Sequence, residues 1–336
     1  MTVLKNSTVF LFPCRYSGSF HLIFNFFIIF ACPKNIDIEK GQGKAMNHFE
    51  KVFQCFPPSI QSQINNMDRY PREAIEEVRV YKGKEIQVFA AGKRLSLSGK
   101  IEGNDISNLL NNLMKFSYYA YEDDLAKGFI TIDGGHRVGI CGKAVVEKGR
   151  VTLIREVSSL NIRYSKEVIG CSDSLTHLLI NSDRSLNSML IVSPPGCGKT
   201  TLLRDIGRNI SMKGYKVGIC DERSEIAGMY NGCSSYHFGT MVDVLDGCPK
   251  AEGMLMIRAM SPQVIITDEI GKKEDVAAIK ACANSGVRVI TSVHGSDVND
   301  LKNSEIYETI ERKDFQIIVF LTDKPTVGTV REVLRG

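Results

Sequence analysis

The chain has 336 residues, 43% hydrophobic and 24% charged, with 29 Gly and 10 Pro; this globular composition excludes a wholly disordered, collagen-like or coiled-coil protein. The length suits two domains, each able to bury its own core. A net charge of +4, from 42 basic and 38 acidic side chains, is too small for bulk electrostatics to argue for a nucleic-acid partner.

The charge is unevenly placed. Residues 1–45 carry Lys5, Arg15, Lys34, Lys40 and Lys44 against Asp37 and Glu39, which leaves the remainder close to neutral. Leu22 to Cys32 is apolar except for Asn25. That run is too short for the roughly 20 residues of a membrane-spanning helix, although it suits a signal peptide or a peripheral anchor. A third reading is favoured. Gly41-Gln42-Gly43-Lys44 precedes Met46, and its codons can hold a bacterial ribosome-binding site. Met46 is therefore expected to be the true start, with residues 1–45 a doubtful leader. The ten cysteines form no C-x-x-C pair and no zinc-like spacing, so reduced thiols and a cytoplasmic location are expected.

Along the chain, residues 46–66 read as a helix with Phe49, Val52, Phe53 and Phe56 on one side. Residues 76–90 alternate as two strands around the turn Lys82-Gly83-Lys84, and a helix begins at Asp105. Residues 128–155 read as a β-meander turning at Asp133-Gly134-Gly135. In this meander Gly134-Gly135-His136-Arg137 reads as a hairpin turn with two polar edges, a subunit or nucleic-acid contact being the less favoured alternative. Together these elements predict an α+β domain over 46–165. From 166 to 336 the rhythm becomes strand, loop, helix. Strands are expected at Ser188–Val192, Lys216–Cys220, Val264–Thr267 and Val287–Val293. Helices are expected at Thr200–Ser211, Gly253–Met260 and Glu274–Ser285, with a closing hairpin over Gln316–Leu321 and Thr326–Leu334. Such alternation predicts an α/β domain with a parallel sheet and helices on both faces.

The strongest signal is Ser193-Pro194-Pro195-Gly196-Cys197-Gly198-Lys199-Thr200-Thr201. It fits G-x-x-x-x-G-K-[ST] with Ser193 in the first glycine's place, and it stands between an apolar strand and an amphipathic helix. Gly196 and Gly198 let backbone N–H groups turn toward phosphate oxygens, and the following helix offers its positive end to the same anion. Lys199 is expected to reach the β- and γ-phosphates of ATP, and Thr200 to ligate Mg²⁺. Val264-Ile265-Ile266-Thr267 then leads to Asp268-Glu269. Asp268 is expected to hold Mg²⁺ and Glu269 to orient or deprotonate the attacking water. A guanine-reading N-K-x-D is absent, which favours ATP over GTP.

Three further groups fall near the same strand ends. Asp221-Glu222-Arg223-Ser224-Glu225 follows a strand and is either at the nucleotide edge or a solvated loop. His294 ends another strand, where it suits contact with the γ-phosphate or the attacking water, or is simply a satisfied strand-end histidine. Arg258 is either a phosphate contact, within or across subunits, or a surface residue.

With these residues in place, the chain resembles the stage III sporulation protein AA family of endospore-forming bacteria over residues 46–336. The stretches that carry the resemblance are Ser117–Tyr121, Gly128–Gly139, Leu160–Arg163, Ser193–Thr201, Asp221–Gly228, Asp243–Gly253 and Ser261–Gly271. The resemblance implies a P-loop core of RecA/AAA+-like type, similar to the ATPases of type II and type IV secretion systems. It implies a mother-cell cytoplasmic ATPase, peripheral at the engulfing membrane, that serves a channel complex between mother cell and forespore. It also implies a homo-hexameric ring and membrane-protein partners. An acidic box, a Walker B box and a His box would surround the nucleotide, matching Asp221–Glu225, Asp268-Glu269 and His294, so Glu222 joins Glu269, Lys199 and His294 as a catalytic candidate. Met241 departs from the family pattern, where an arginine is expected; Arg223 and Arg258 are the candidates for a contact in trans. Three readings follow: an Mg-ATP-hydrolysing motor, a nucleotide-binding assembly scaffold with little turnover, and a nucleic-acid-stimulated ATPase. The last is weakly supported.

Overall fold

The structure, a computed structural model, describes residues 48–67, 74–302 and 314–335. These belong to one compact unit, Met46–Gly336. Residues 1–45 and Met46, with the readings placed on them, lie outside the described residues.

The single helix expected over 46–66 is two helices, α1 (His48–Phe53) and α2 (Pro58–Asn65). The cause is Pro57-Pro58: a residue before proline is pushed out of the helical region, while Pro58 suits the first turn of a new helix. Val52, Phe53, Phe56, Ile60 and Ile64 still share one buried side; the side chain of Phe49 lies outside the described residues. Strands β1 (Ile75–Tyr81) and β2 (Glu85–Ala90) pair around the expected turn, and β3 (Lys93–Lys100) adds to β2. β3 is not among the expected strands: it is an edge strand that contributes only Leu97 to the buried core. Helix α3 (Gly103–Leu113) buries Ile106, Leu109, Leu110 and Leu113, and the short α4 (Glu122–Ala126) follows. Strands β4 (Phe129–Ile132), β5 (His136–Glu147) and β6 (Arg150–Arg163) complete an antiparallel sheet of order β3-β2-β1-β6-β5-β4. The later part of the meander expected over 128–155 is the mostly exposed outer end of β5 and β6, beyond a bulge at Cys141–Lys143.

After α5 (Asp173–Leu179) the chain builds a seven-stranded sheet. In chain order come β7 (Met189–Ser193), α6 (Lys199–Met212), β8 (Val217–Asp221) and a two-rung hairpin of β9 (Met229–Tyr230) and β10 (Cys233–Ser234). Next are β11 (Val242–Asp246), α7 (Lys250–Met256), β12 (Val264–Glu269) and α8 (Lys273–Asn284). Strands β13 (Arg288–His294), β14 (Ile317–Thr322) and β15 (Thr329–Arg335) close it. The order is β11-β8-β12-β13-β7-β14-β15, parallel throughout except for the β14–β15 hairpin. The helix expected over Gly253–Met260 starts earlier, at Lys250, and ends in a 3₁₀ turn over Ile257–Met260. Alternate strand residues face opposite cores. Ile191, Val217 and Ile266 meet Leu203, Ile206 and Ile210 of α6, while Leu190, Ile265 and Val289 meet Met254, Val276 and Ile279 of α7 and α8. Among the described residues no helix is long and apolar enough to cross a membrane, and all eight cysteines are free thiols.

Two consecutive residues of α6 tie the sheets together. Arg204 donates to the carbonyls of Lys166, Glu225 and Ile226, and its guanidinium lies 3.7 Å from the Tyr236 ring centroid. Asp205 accepts from the Gly170 and Ser172 N–H groups, the Ser172 hydroxyl and Arg208. The Gly134–Arg137 turn faces the same junction. The Gly134 N–H donates to Ser235 Oγ at 3.1 Å, Arg137 pairs with Glu225, and His136 is buried. A Cβ on Gly135, whose φ is +66°, would come within 2.3 Å of the Tyr236 hydroxyl. The turn is therefore an internal contact rather than an exposed nucleic-acid surface.

Burial alone would raise the pKa of Asp205, but its hydrogen bonds from Ser172, Arg208 and Gly170 win and hold it below the usual value. The stability it contributes is present above the unfolded carboxylate pKa and is lost as pH falls through the lower folded one. Asp205→Asn is expected to cost about 2 kcal/mol at neutral pH, lowering Tm by roughly 4–8 °C. The gap to wild type should narrow as thermal melts are taken toward about pH 3.

Candidate functional site: the carboxyl edge of the parallel sheet

Parallel pairing brings the chemistry to one edge. His294 of β13 is level with Ser193 of β7, and Glu269 of β12 with Ser292 of β13. Thr267 is level with Cys220, so Asp268 and Asp221 emerge side by side one residue later. Ligands of such sheets bind at this end.

The loop from Ser193 to Gly198 has the expected form. Gly196 and Gly198 sit at φ +76° and +83°, a left-handed region that L side chains disfavour. Gly198 caps α6, whose first N–H groups have no partner within the helix and point an anion site outward. Ser193 is fully buried and its hydroxyl donates to the Pro194 carbonyl at 3.0 Å, so the extra side chain in the first glycine's place is accommodated. Cys197 is buried; Pro194, Thr200 and Thr201 are half-buried, and Pro195 is exposed. Lys199 folds back, donating to the Ser193 carbonyl at 3.0 Å and lying 3.5 Å from Glu269 Oε2.

Facing the loop is a cleft of about 670 Å³ lined by Lys199, Thr200, Glu222, Arg223, Lys250, Asp268 and Glu269. Glu269 is half exposed, a suitable state for a group that must handle water. Asp268 is buried, and burial pushes its pKa up while Lys250 opposes the rise. The acidic loop divides in two. Asp221 is fully buried and accepts the N–H groups of Glu225, Ile226 and Ala227, so it shapes the loop rather than facing the cleft. Burial pushes its pKa up to about 7 even against those donors. Glu222, Arg223 and Glu225 are the members that line the cleft. His294 is exposed at the edge beside Ser193, and Arg258 lies outside the cleft lining. Val327, at the tip of the β14–β15 hairpin, covers the other side of Gly198.

The donor set suits Mg²⁺. Asp268 Oδ1 is buried and makes no aligned hydrogen bond, and the Lys250 ammonium lies 3.1 Å from it. Thr200 lines the same cleft. Among the described residues no group of three or more His, Cys, Asp or Glu is placed to hold a metal by itself. Mg²⁺ takes one or two protein oxygens and completes its shell with phosphate and water. Asp268 and Thr200 are the residues that would hold it.

Lys250 is the site residue that sequence reasoning missed. It pairs with Glu222 and Asp268, and its side chain is only 10% exposed. Burial works against its charge, but Asp268 and Glu222 outweigh it and hold its pKa above the usual lysine value. Its one sequence signal is a cation at the start of a helix, where anions are preferred.

A glycine-rich loop between strand and helix, a lysine at that helix's start and an acidic end on a parallel strand one place removed in the sheet define a P-loop NTPase core. The fold is similar to that of the pilus retraction motor PilT solved with bound ADP, at a TM-score of 0.54 and 17% identity over 82% of this chain and 80% of that one. It is also similar to the Legionella pneumophila ATPase DotB, at a TM-score of 0.51 and 16% identity over 73% and 72% of the two chains. The sequence is more specific. The family described as sporulation stage III, protein AA matches residues 46–335. Stage III sporulation protein AA of Bacillus subtilis (strain 168) is 38% identical over 290 residues, covering 84% of this chain and 94% of that protein. The chain belongs to the stage III sporulation protein AA family.

A methyl group at Gly198 would meet Val327 at 3.4 Å and hold a backbone conformation unfavourable for alanine. Gly198→Ala is expected to keep the fold, with a loss of about 1–2 kcal/mol, and to weaken ATP binding at least tenfold in a fluorescent-nucleotide titration.

Proposed function

We propose that the chain is an Mg-ATP-hydrolysing motor that serves the channel complex between mother cell and forespore during endospore formation. The observation that carries the reading is the meeting of Lys199, Thr200, Asp268, Glu269 and Glu222 around one cleft. The loop N–H groups cradle the phosphates, and Lys199 leaves its own loop carbonyl and Glu269 to meet the β- and γ-phosphates. That departure frees Glu269 to orient the attacking water or take its proton, with Glu222 across the cleft as the second carboxylate. His294, level with Ser193, is the group that would follow the γ-phosphate. When bound, Mg²⁺ neutralises charge developing on the phosphate oxygens; Thr200 and Asp268 are the residues that would hold it.

The route from chemistry to movement is the acidic loop. Glu225 lines the cleft and pairs with Arg137 of the antiparallel sheet, while Arg204, one turn into the helix that follows the phosphate loop, grips the same loop's backbone. A change at the γ-phosphate therefore has a short mechanical path to the N-terminal half. The expected partners are further copies of the chain, in a hexameric ring, and membrane proteins of the sporulation complex, met from the mother-cell cytoplasm. Arg223, exposed at the cleft rim, is the better placed of the two arginines for a contact in trans; Arg258 would need a second surface.

The test is steady-state ATPase turnover of the full chain, with ATP binding measured alongside. Lys199→Ala is expected to lose both binding and turnover. Glu269→Gln should keep binding and lose turnover by about 100-fold or more. Tight ATP binding with no turnover in the wild type would contradict the motor in favour of a scaffold, and stimulation by RNA or DNA would revive the nucleic-acid reading.

A further inference from the structure

Lys250 takes no part in the proposed hydrolysis, yet its placement is costly. It opens α7, where the free N–H groups of a first turn favour an anion. The contacts that fix α7 are apolar and made by other residues: Met254 lies in the core beneath the sheet with Ala251 packed against it. The ammonium instead lies against Glu222 and 3.1 Å from Asp268 Oδ1, sealed from water on most sides. Asp268 is buried with Glu222 close by, and such a site favours a nearby cation, since an uncompensated buried charge is expensive. Asp268 is also the oxygen donor that suits a divalent ion. The ammonium and such an ion compete for one position, because a +1 and a +2 charge within contact of the same carboxylate repel strongly in a sheltered cleft.

We propose that Lys250 is a tethered counter-cation: it occupies the carboxylate pair in the unloaded protein and is displaced when a divalent cation reaches Asp268. The proposal rests on the reading of Asp268 as a metal-binding residue. Lysine suits the task, because its charge is a compact point on a flexible four-carbon stem that can swing aside without moving the helix. Displacement has a consequence for chemistry. The same movement that admits the ion releases Glu222 from its ion pair, so a carboxylate of the cleft is freed only when the metal arrives. Lys199 and Glu269 form the parallel case on the phosphate side, a pair 3.5 Å apart that nucleotide must separate. Both largely covered lysines of the cleft thus hold a carboxylate inactive until ligand takes the position. Lys250 acts here as a positioning residue, through Glu222 and Asp268.

The probe is Mn²⁺ alone, titrated into the full chain without nucleotide and followed by electron paramagnetic resonance. Lys250→Gln, which removes the competing charge, is expected to bind Mn²⁺ at least tenfold more tightly than wild type. Affinity within twofold of wild type would overturn the proposal. A second measurement needs no variant. Amine acylation of the wild-type chain, read by mass spectrometry, should label Lys250 at least threefold faster once Mn²⁺ is saturating, relative to the exposed Lys213. Unchanged or slower labelling would overturn the proposal even if Lys250→Gln fails to fold. ATP binding in EDTA is scored separately. A chain that binds no ATP defeats the ATPase reading, whereas the Mn²⁺ response alone decides the role of Lys250.

Discussion

Parallel register is the constraint on which the site depends. Strands β7, β8, β12 and β13 are hydrogen-bonded side by side in one direction. Their carboxyl ends therefore deliver Ser193, Asp221, Asp268-Glu269 and His294 to a single edge, although these residues are spread over a hundred positions of sequence. A slip of one residue in β12 would turn Asp268 from the cleft to the opposite face, because side chains alternate. The register is held by strands buried on both faces: Leu190 and Val192 point into one core and Met189 and Ile191 into the other, all four fully buried. Apolar packing thus sets the positions of the charges, and the charges then cost little extra order.

The second feature is how buried charge is managed around that edge. Asp221 is spent on three backbone N–H groups and so fixes the acidic loop that carries Glu222 and Glu225. Arg204 holds the same loop from below, and its neighbour Asp205 holds the chain that links the two sheets. Lys199 and Lys250 each lie against cleft carboxylates. The fold therefore stores its ionisable groups as pairs that a polyanion and a divalent cation are chemically suited to exchange.

Local patterns made much of this legible. The phosphate-loop spacing, its glycines and the apolar strand before Asp268 are local, and the chemistry they need is written in consecutive residues. The rhythm of strand and helix after residue 166 is equally local, and it yields the parallel sheet. What stayed hidden was non-local or weakly patterned. Edge strand β3 buries too little to show a strong period. The break at Pro57 splits a helix whose apolar face continues across it. The pairing of Lys250 with Glu222 and Asp268 depends on three separate segments converging. So does the burial of the Gly134–Arg137 turn, whose polar residues gave no sign that Glu225, Ser235 and Tyr236 would cover it.

We propose that the carboxyl edge of the seven-stranded sheet is one Mg-ATP site coupled to the acidic loop. Hydrogen–deuterium exchange of the full chain, with and without saturating Mg-ATP, tests it most directly, since protection reports backbone amides rather than turnover. Such a site predicts slowed exchange in the phosphate loop over 193–201, in the acidic loop over 221–228 and at the ends of β12 and β13. Unchanged exchange at those segments under saturating Mg-ATP, or protection confined to other parts of the chain, would contradict it.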